Sequence, residues 1–312
     1  MASRFVAVGM IFLSQTTLGF LGNFFLFYHY SSFHYTRCML RSTDWILRHL
    51  TVANSLVLLS KGVPQTMSIF GLKRFLNDFE CKLFFYIHRV GRGVCISITC
   101  LLSVFQAITI SPTNSRWAEL KLHAAQCTGP CLILCWVLNM LAATIILKHV
   151  AGQQNSRNNT EEKDLGYCSA VDTGNSSIVL LHVVVSSCYD VLCLGLMTWA
   201  SSSMVFFLHR HKQHILKTSL SPRSSPESRV TQSILVLVSA FVSFYTLSSI
   251  FTSFLTIFPN PGMWLVNIST LITACFPTVS PFILMSRDPR ISKTSLACCG
   301  RDKKFPMLTR CL

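Results

Sequence analysis

Blocks of about 20 or more predominantly apolar residues recur along this sequence, and their length is the strongest constraint on its fold. A helix needs about 20 such residues to cross the hydrocarbon core of a bilayer, and it satisfies its own backbone polar groups there. The blocks, which we number spans 1 to 7, lie at roughly 6–28, 44–70, 81–112, 127–147, 177–208, 232–258 and 263–285. The pattern predicts an all-α membrane protein, a bundle of seven transmembrane helices.

The charge content argues against a soluble protein. Charged residues make up 12% of the chain, and a soluble domain carries about twice that fraction. The net charge of +15 is high enough for a nucleic-acid-binding protein, but the basic residues are scattered among short loops instead of lying in one domain. No polar segment resembles a catalytic domain. We therefore expect no enzyme activity, no cofactor, no metal site and no nucleic-acid partner.

The distribution of Lys and Arg predicts the orientation. Sixteen lie in the loops 1–2, 3–4 and 5–6 and in the tail, whereas six lie in the N-terminal segment and the other loops. Because cytoplasmic loops are enriched in these residues, the N-terminus is expected outside and the C-terminus in the cytoplasm. Span 1 is too long for a signal-peptide core, so we expect a retained signal anchor. Residues 1–290 then form the seven-helix domain and 291–312 a basic cytoplasmic tail.

Two of the polar segments between spans have distinct expected properties. Residues 148–176, between spans 4 and 5, contain the glycosylation sequons of Asn158 and Asn175. The predicted orientation places both sequons on the luminal side, where glycosylation takes place. Residues 209–231, between spans 5 and 6, are basic and rich in serine and proline. That composition predicts a mobile cytoplasmic loop.

Fourteen cysteines are present, and most lie within spans. Cys81 and Cys168 are the two on the predicted outer side, where the environment is oxidising, so we expect a disulfide between them. The alternative is two free thiols. Cys298 and Cys299 lie shortly after span 7 beside basic residues, which makes them candidates for palmitoylation. Unmodified thiols are the alternative there.

Several segments of the sequence resemble the vomeronasal type-1 receptors. Seven spans, an outer N-terminus and the cysteine pair resemble the wider class of G-protein-coupled receptors. The narrower resemblance rests on the segments His49–Asn54, Leu58–Met67, His88–Gly93, Leu101–Thr109, Asp164–Cys168, His209–Gln213 and Cys275–Ser286. It implies a chemosensory receptor in the plasma membrane that binds a small, pheromone-like or odour-like molecule and activates a heterotrimeric G protein. Membrane lipid would be its other partner.

The sequence departs from large rhodopsin-like receptors at three motifs. The Asp-Arg-Tyr of those receptors reads Phe105-Gln106-Ala107 here, and their span-2 aspartate is replaced by Asn54. Their Asn-Pro-x-x-Tyr in span 7 reads Ser280-Pro281-Phe282-Ile283-Leu284. The vomeronasal group is similar in these departures. They remove the arginine-based cytoplasmic lock and the acidic sodium site, and they leave the chemistry of activation unspecified.

Ionisable residues inside the spans are the candidates for ligand binding. Such residues are rare in membranes and usually face the interior of the bundle. His88, Arg89 and Arg92 share one broad face of span 3, and we expect them in the outer cavity with Lys61 and Tyr86. The alternative is internal pairing or snorkelling of the arginines. The acid deep in span 5, Asp190, either pairs with one arginine or contacts the ligand. The excess of positive charge favours a ligand that is acidic or rich in hydrogen-bond acceptors.

The surface that contacts the G protein is expected at the opposite end of the bundle, at Gln106, Arg210, Lys212 and Lys217. Two other functions remain open on the sequence. One is a membrane carrier for a small solute, which would need a relay of acids or histidines through several spans. The other is a folded receptor with little remaining signalling function.

Overall fold

The computed structural model describes residues 2–36, 42–71, 77–111, 115–151, 162–164, 169–171, 176–218, 226–257 and 262–287. These residues contain seven long helices, which confirms the predicted all-α, seven-helix architecture. The helices are α1 (Ala2–Thr36), α2 (Ser42–Ile69), α3 (Asp78–Ile110), α4 (Ser115–Ala151), α5 (Ser176–Thr218), α6 (Pro226–Ile257) and α7 (Met263–Arg287). Between α4 and α5, strands β1 (Glu162–Asp164) and β2 (Ser169–Val171) form a short antiparallel hairpin in which Glu162 lies opposite Val171.

Several helices extend beyond the apolar blocks. Helix α4 begins at Ser115, well before the predicted start of span 4 at residue 127, and α5 continues to Thr218. The prediction of a mobile loop over 209–231 is therefore wrong for 209–218 and 226–231, which are helical. An apolar block marks only where a helix crosses hydrocarbon, because helical backbone bonds also form in the water beyond it.

Six of these helices are apolar enough over their length to cross a membrane, and α2 is the exception. The polar residues that lower its hydropathy lie inside the bundle. Asn54 and Gln65 are almost fully buried, and α2 contacts α1, α3, α4 and α7. Because polar side chains in a membrane helix can bond to neighbouring helices, α2 needs less apolar surface than a helix that faces lipid.

Helix α3 is the central helix of the bundle. Asn77 caps its N-terminus by accepting a hydrogen bond from the Glu80 backbone at 2.9 Å, and the Glu80 carboxylate accepts one from the Asn77 backbone at 3.0 Å. This reciprocal capping box satisfies two backbone donors at the start of the helix. Further along, Val94, Ile98 and Leu102 are fully buried, because α3 contacts α2, α4, α5 and α6.

Helix α1 approaches its neighbours closely at glycines. A Cβ atom on Gly19 would lie 2.8 Å from Leu58 Cδ1 on α2 and 3.1 Å from the Thr278 Cα on α7. A Cβ on Gly22 would lie 3.0 Å from Pro281 Cγ. Small residues let membrane helices pack backbone to backbone, which is a major source of their association in lipid.

The two prolines of α7 leave helical carbonyls without their usual donors. Pro281 has no N–H, so the carbonyl of Pro277, four residues earlier, lacks a partner within the helix. Asn23 of α1 donates from Nδ2 to that carbonyl at 2.8 Å. A side chain on a neighbouring helix thus satisfies the freed group, as expected for proline in a membrane helix.

Asn54 joins four helices through its amide. Its Nδ2 donates to Ser280 Oγ on α7 at 3.0 Å and to Asn23 Oδ1 on α1 at 3.3 Å. Its Oδ1 accepts a hydrogen bond from Cys95 Sγ on α3 at 3.3 Å. A neutral amide therefore occupies the place of the acid that large rhodopsin-like receptors carry, and it is satisfied by neutral groups alone.

The packing of α1 predicts different effects for two Gly→Ala substitutions. Gly19→Ala should lower the thermal stability of the purified protein by the equivalent of about 1–3 kcal/mol, because the added Cβ would overlap Leu58 and the α7 backbone. Gly195→Ala on α5 is the matched control, because nothing lies within 4 Å of its Cβ. Equal melting temperatures for the two variants would contradict the close packing of α1.

Candidate functional site

The predicted ionisable residues meet in the half of the bundle near Cys81. His88 and Arg92 lie about three and four turns into α3. Lys61 lies about two turns before the end of α2, at a similar level. Asp190 on α5 faces Arg92, and the Arg92 Nη2 to Asp190 Oδ2 distance is 4.0 Å. The sequence left open whether Asp190 pairs with an arginine or contacts a ligand, and in this structure it pairs with Arg92.

Arg92 is bonded through all three of its nitrogens. Its acceptors lie on α6: Nε donates to Tyr245 Oη at 3.4 Å, Nη1 to Ser248 Oγ at 3.1 Å and Thr252 Oγ1 at 3.3 Å, and Nη2 to Ser249 Oγ at 2.8 Å. Its guanidinium carbon also lies 4.7 Å from the centroid of the Tyr245 ring, within the range of a cation–π interaction. Arg92 thus connects α3 to α6 and, through Asp190, to α5.

Asp190 closes this network. Its Oδ1 accepts a hydrogen bond from Tyr245 Oη at 3.0 Å, and its Oδ2 accepts one from Ser249 Oγ at 3.5 Å. The side chains of Arg92 and Asp190 are 18% and 21% exposed. Because both charges are largely removed from solvent, the hydroxyl groups on α6 supply the remaining bonds that a buried ion pair requires.

Span 6 was expected to line the ligand site, but its individual residues in this network were not predicted from the sequence. Tyr245, Ser248, Ser249 and Thr252 follow the spacing i, i+3, i+4, i+7, which places them on one face of a helix. This pattern of hydroxyl groups is visible in the sequence. It carries no charge, however, and serine and threonine are common in membrane helices.

Arg89 and Tyr86 lie outside the Arg92–Asp190 network. Arg89 Nη2 donates to Ser186 Oγ on α5 at 3.1 Å. Tyr86 points toward α4, where its Oη donates to the Met140 carbonyl at 3.4 Å. The structure therefore brings together four of the six predicted ligand residues and turns Arg89 and Tyr86 toward neighbouring helices.

Lys61 and His88 have few partners. Among the residues that the structure describes, no hydrogen-bond acceptor and no acid pairs with Lys61, and the buried Nδ1 of His88 has no partner either. His88 shares α3 with Arg89 and Arg92, and α3 packs against α2, which carries Lys61. This part of the site is consequently positive and uncompensated by the described residues.

A small cavity lies beside Arg92 between α2, α3, α6 and α7. Its volume is about 30 Å³, which is room for about two water molecules. The walls include the polar residues Arg92, Tyr245 and Ser248 and the aromatic residues Phe241 and Phe276. The rings of Phe241 and Phe276 meet edge to face at 4.6 Å between centroids. A larger ligand would therefore require side chains or helices to move apart.

The structure places some of the other predicted sites. Cys81 is disulfide-bonded, and its predicted partner Cys168 lies outside the described residues, as do Asn158, Asn175, Cys298 and Cys299. Gln106 is buried and donates to Thr43 Oγ1 on α2 at 3.3 Å. Arg210 is exposed at the far end of α5, and the side chains of Lys212 and Lys217 are outside the description. No group of metal ligands is found among the described residues.

Comparison with known proteins identifies the family. Residues 6–297 match the model of the vomeronasal organ pheromone receptor family. The chain is 60% identical to vomeronasal type-1 receptor 3 of Homo sapiens over 99% of this chain and 100% of the relative. It is 56% identical to human vomeronasal type-1 receptor 4 over 95% and 99% of the two chains. The crystal structure of squid rhodopsin superposes with a TM-score of 0.72 at 14% identity, covering 97% of this chain and 89% of that one.

The likeness to squid rhodopsin shows the seven-helix fold alone. The family match over residues 6–297 defines the chain as a multi-pass receptor of the G-protein-coupled class. The chain belongs to the vomeronasal organ pheromone receptor family, type 1, and it is accordingly a chemosensory receptor of the plasma membrane.

The Arg92–Asp190 pair predicts non-additive stability changes. Arg92→Met and Asp190→Asn should each lower the melting temperature, because each leaves the other charge without its ionic partner. The double variant should be more stable than the sum of the single effects predicts, with a coupling energy on the order of 1 kcal/mol. Strictly additive changes in thermal denaturation of the purified receptor would show that the two charges do not interact.

Proposed function

We propose that the receptor binds a small organic molecule between α2, α3, α5, α6 and α7, in the half of the bundle near Cys81, and that binding activates a heterotrimeric G protein. Membership of the vomeronasal receptor family over residues 6–297 carries this proposal. The family is described as one of pheromone receptors, so the ligand is expected to be pheromone-like or odour-like. The buried polar residues of the site support it, because ionisable groups inside a membrane usually serve a function.

The contacts of Arg92 suggest how ligand binding reaches the rest of the bundle. Four acceptors on α6 and one acid on α5 hold these two helices against α3. A ligand that enters the adjacent cavity separates Phe241 from Phe276 and changes these contacts. It shifts the equilibrium only if it binds the rearranged state more tightly than the closed one.

The opposite end of the bundle would bind the G protein. Gln106 and Thr43 hold the ends of α3 and α2 together, and breaking this bond would expose Gln106. The extended end of α5 provides Arg210, Lys212 and Lys217, whose positive charges suit an acidic partner surface. The coupling between the two ends is reciprocal, so G-protein binding would raise the affinity for an activating ligand.

The topology follows from the same proposal. The N-terminus and the segment between α4 and α5 would lie outside the cell, with Asn158 and Asn175 glycosylated and Cys81 paired with Cys168. The C-terminal tail would lie in the cytoplasm with Cys298 and Cys299 near the membrane as palmitoylation candidates.

The carrier alternative has less support. A proton-coupled carrier would need several acids or histidines in a relay. In the described helices, Asp190 is the acid that lies deepest, and Arg92, Tyr245 and Ser249 all bond to it.

Receptor function predicts a ligand response that depends on the α5 extension. Cells that express the chain should activate a G protein when a panel of acidic and neutral odour-like molecules is applied. The variant R210A/K212A/K217A should reduce that activation severalfold at equal surface expression, because charge complementarity at the interface would be lost. Silence across the panel despite surface expression would instead support a folded receptor with little signalling function.

The proposed orientation predicts N-glycosylation between α4 and α5. Digestion with a peptide N-glycosidase should increase the electrophoretic mobility of the protein from mammalian cells. Asn158→Gln and Asn175→Gln should each remove part of that change. The proposed orientation is wrong if the enzyme leaves the mobility unchanged and an antibody detects an N-terminal tag only after the cells are permeabilised. Those two results together would place the N-terminus in the cytoplasm.

A further inference from the structure

The basic residues of the site differ in how well their charges are compensated. Arg92 has an acid and four hydroxyl acceptors. Arg89 has the hydroxyl group of Ser186. Within the part of the chain that the structure describes, Lys61 has no acceptor and the Nδ1 of His88 has none. The ammonium group of Lys61 and the Nδ1 atom of His88 are therefore the hydrogen-bonding groups of the site that lack partners among the described residues.

The surroundings make an uncompensated charge at Lys61 costly. Lys61 is half-buried on α2, which packs against α1, α3, α4 and α7. On α3, a Cβ atom at Gly91 would lie 3.1 Å from Val57 Cγ2 on α2. His88 lies about one turn before Gly91 and Lys61 about one turn after Val57, so the two residues lie at the same level of these consecutive, oppositely directed helices. An isolated charge inside a membrane protein requires a partner or water. The one acid deep in the described helices, Asp190, already bonds to Arg92 and Tyr245.

Lys61 also has some accessible surface despite its position inside the bundle. It lies about two turns from the end of α2, and His88 lies about three turns from the start of α3 at the same end. A molecule that enters from the Cys81 end would reach this pair before it reaches the aromatic residues around the cavity. The pair is thus positioned to contact a ligand first.

We infer that Lys61, assisted by His88, binds the anionic group of an organic ligand, whereas Arg92 holds α3, α5 and α6 together and makes no direct contact with that group. The inference rests on the proposed receptor function and assigns the charged contact within that site. The ligand class is a small apolar molecule that ends in a group such as a carboxylate. A carboxylate accepts hydrogen bonds from both an ammonium group and an imidazole N–H, and charge-assisted bonds of this kind are strong.

The first experiment compares ligand-free stability. Lys61→Met should raise the melting temperature of the purified receptor by about 2 °C or more, because it removes an uncompensated charge. Arg92→Met should lower it, because Asp190 loses its partner. Arg210→Gln, at an exposed position on α5, controls for the loss of one positive charge. A decrease for Lys61→Met as large as that for Arg92→Met would overturn the inference, since it would mean that Lys61 already has an acid partner.

The second experiment measures binding of matched probes. Straight-chain carboxylic acids of about 8 to 12 carbons and the corresponding primary amides differ at the end group and share the same chain. The acids should stabilise the wild-type receptor thermally at concentrations at least about tenfold lower than the amides, and Lys61→Met should abolish this difference. Lys61→Arg should retain a preference for the acids. If the wild type shows no preference for acids over amides, including the case in which neither stabilises it, the inference is wrong.

These readouts do not depend on signalling. A preference for acids that requires Lys61, without G-protein activation in cells, would contradict the proposed function and leave the binding site in place. Activation by amides and acids alike would support the receptor and remove the role assigned to Lys61.

Discussion

The structure depends on one constraint, which is that polar groups inside lipid must find their partners within the protein. Three features of the bundle answer this constraint directly. Asn23 bonds to the carbonyl freed by Pro281. Asn54 divides its amide among α1, α3 and α7. The charges of Arg92 and Asp190 meet between α3 and α5 and are completed by hydroxyl groups on α6. Each feature ties together helices that apolar packing alone would leave free to slide or rotate.

These features form two networks that share α3. One joins α1, α2 and α7 to α3 through Cys95, and the other joins α5 and α6 to α3 through Arg92. The two residues are three apart, so they are neighbours on the helix surface. A small rotation of α3 about its axis would therefore change both networks together. This receptor lacks the arginine-based cytoplasmic lock of large rhodopsin-like receptors. Here α3 is the helix through which the contacts of α1, α2 and α7 are linked to those of α5 and α6.

Much of the architecture was predictable, because the thickness of a bilayer fixes the length of an apolar helix. Charged residues inside spans were equally conspicuous, and Arg92, Asp190, Lys61 and His88 were all recognised by residue type. The partners of each charge were less predictable, because they depend on how helices rotate relative to one another. Arg89 lies next to Arg92 on the face shared with His88, yet it bonds to Ser186. The hydroxyl groups on α6 carry no charge, so selecting ionisable residues within the spans did not identify them. Mean hydropathy alone also fails to identify α2 as a membrane-spanning helix, because polar residues such as Asn54 and Gln65 lower the mean although they are buried against protein.

The bond between Asn23 and the Pro277 carbonyl has a consequence for biosynthesis. It connects α1 with α7, the first and last of the described helices, so the Pro277 carbonyl and this one bond of Asn23 are satisfied only after α7 has been made. Before that, the Asn23 amide bonds to the Gly19 carbonyl within α1, and the glycines that pack against α7 remain uncovered. A transcript that ends before α7 would yield a product in which the Asn23–Pro277 bond cannot form and these glycines stay uncovered. Such a product would expose unpaired polar groups within the bilayer to the quality-control machinery of the endoplasmic reticulum, whereas the complete receptor pairs these groups.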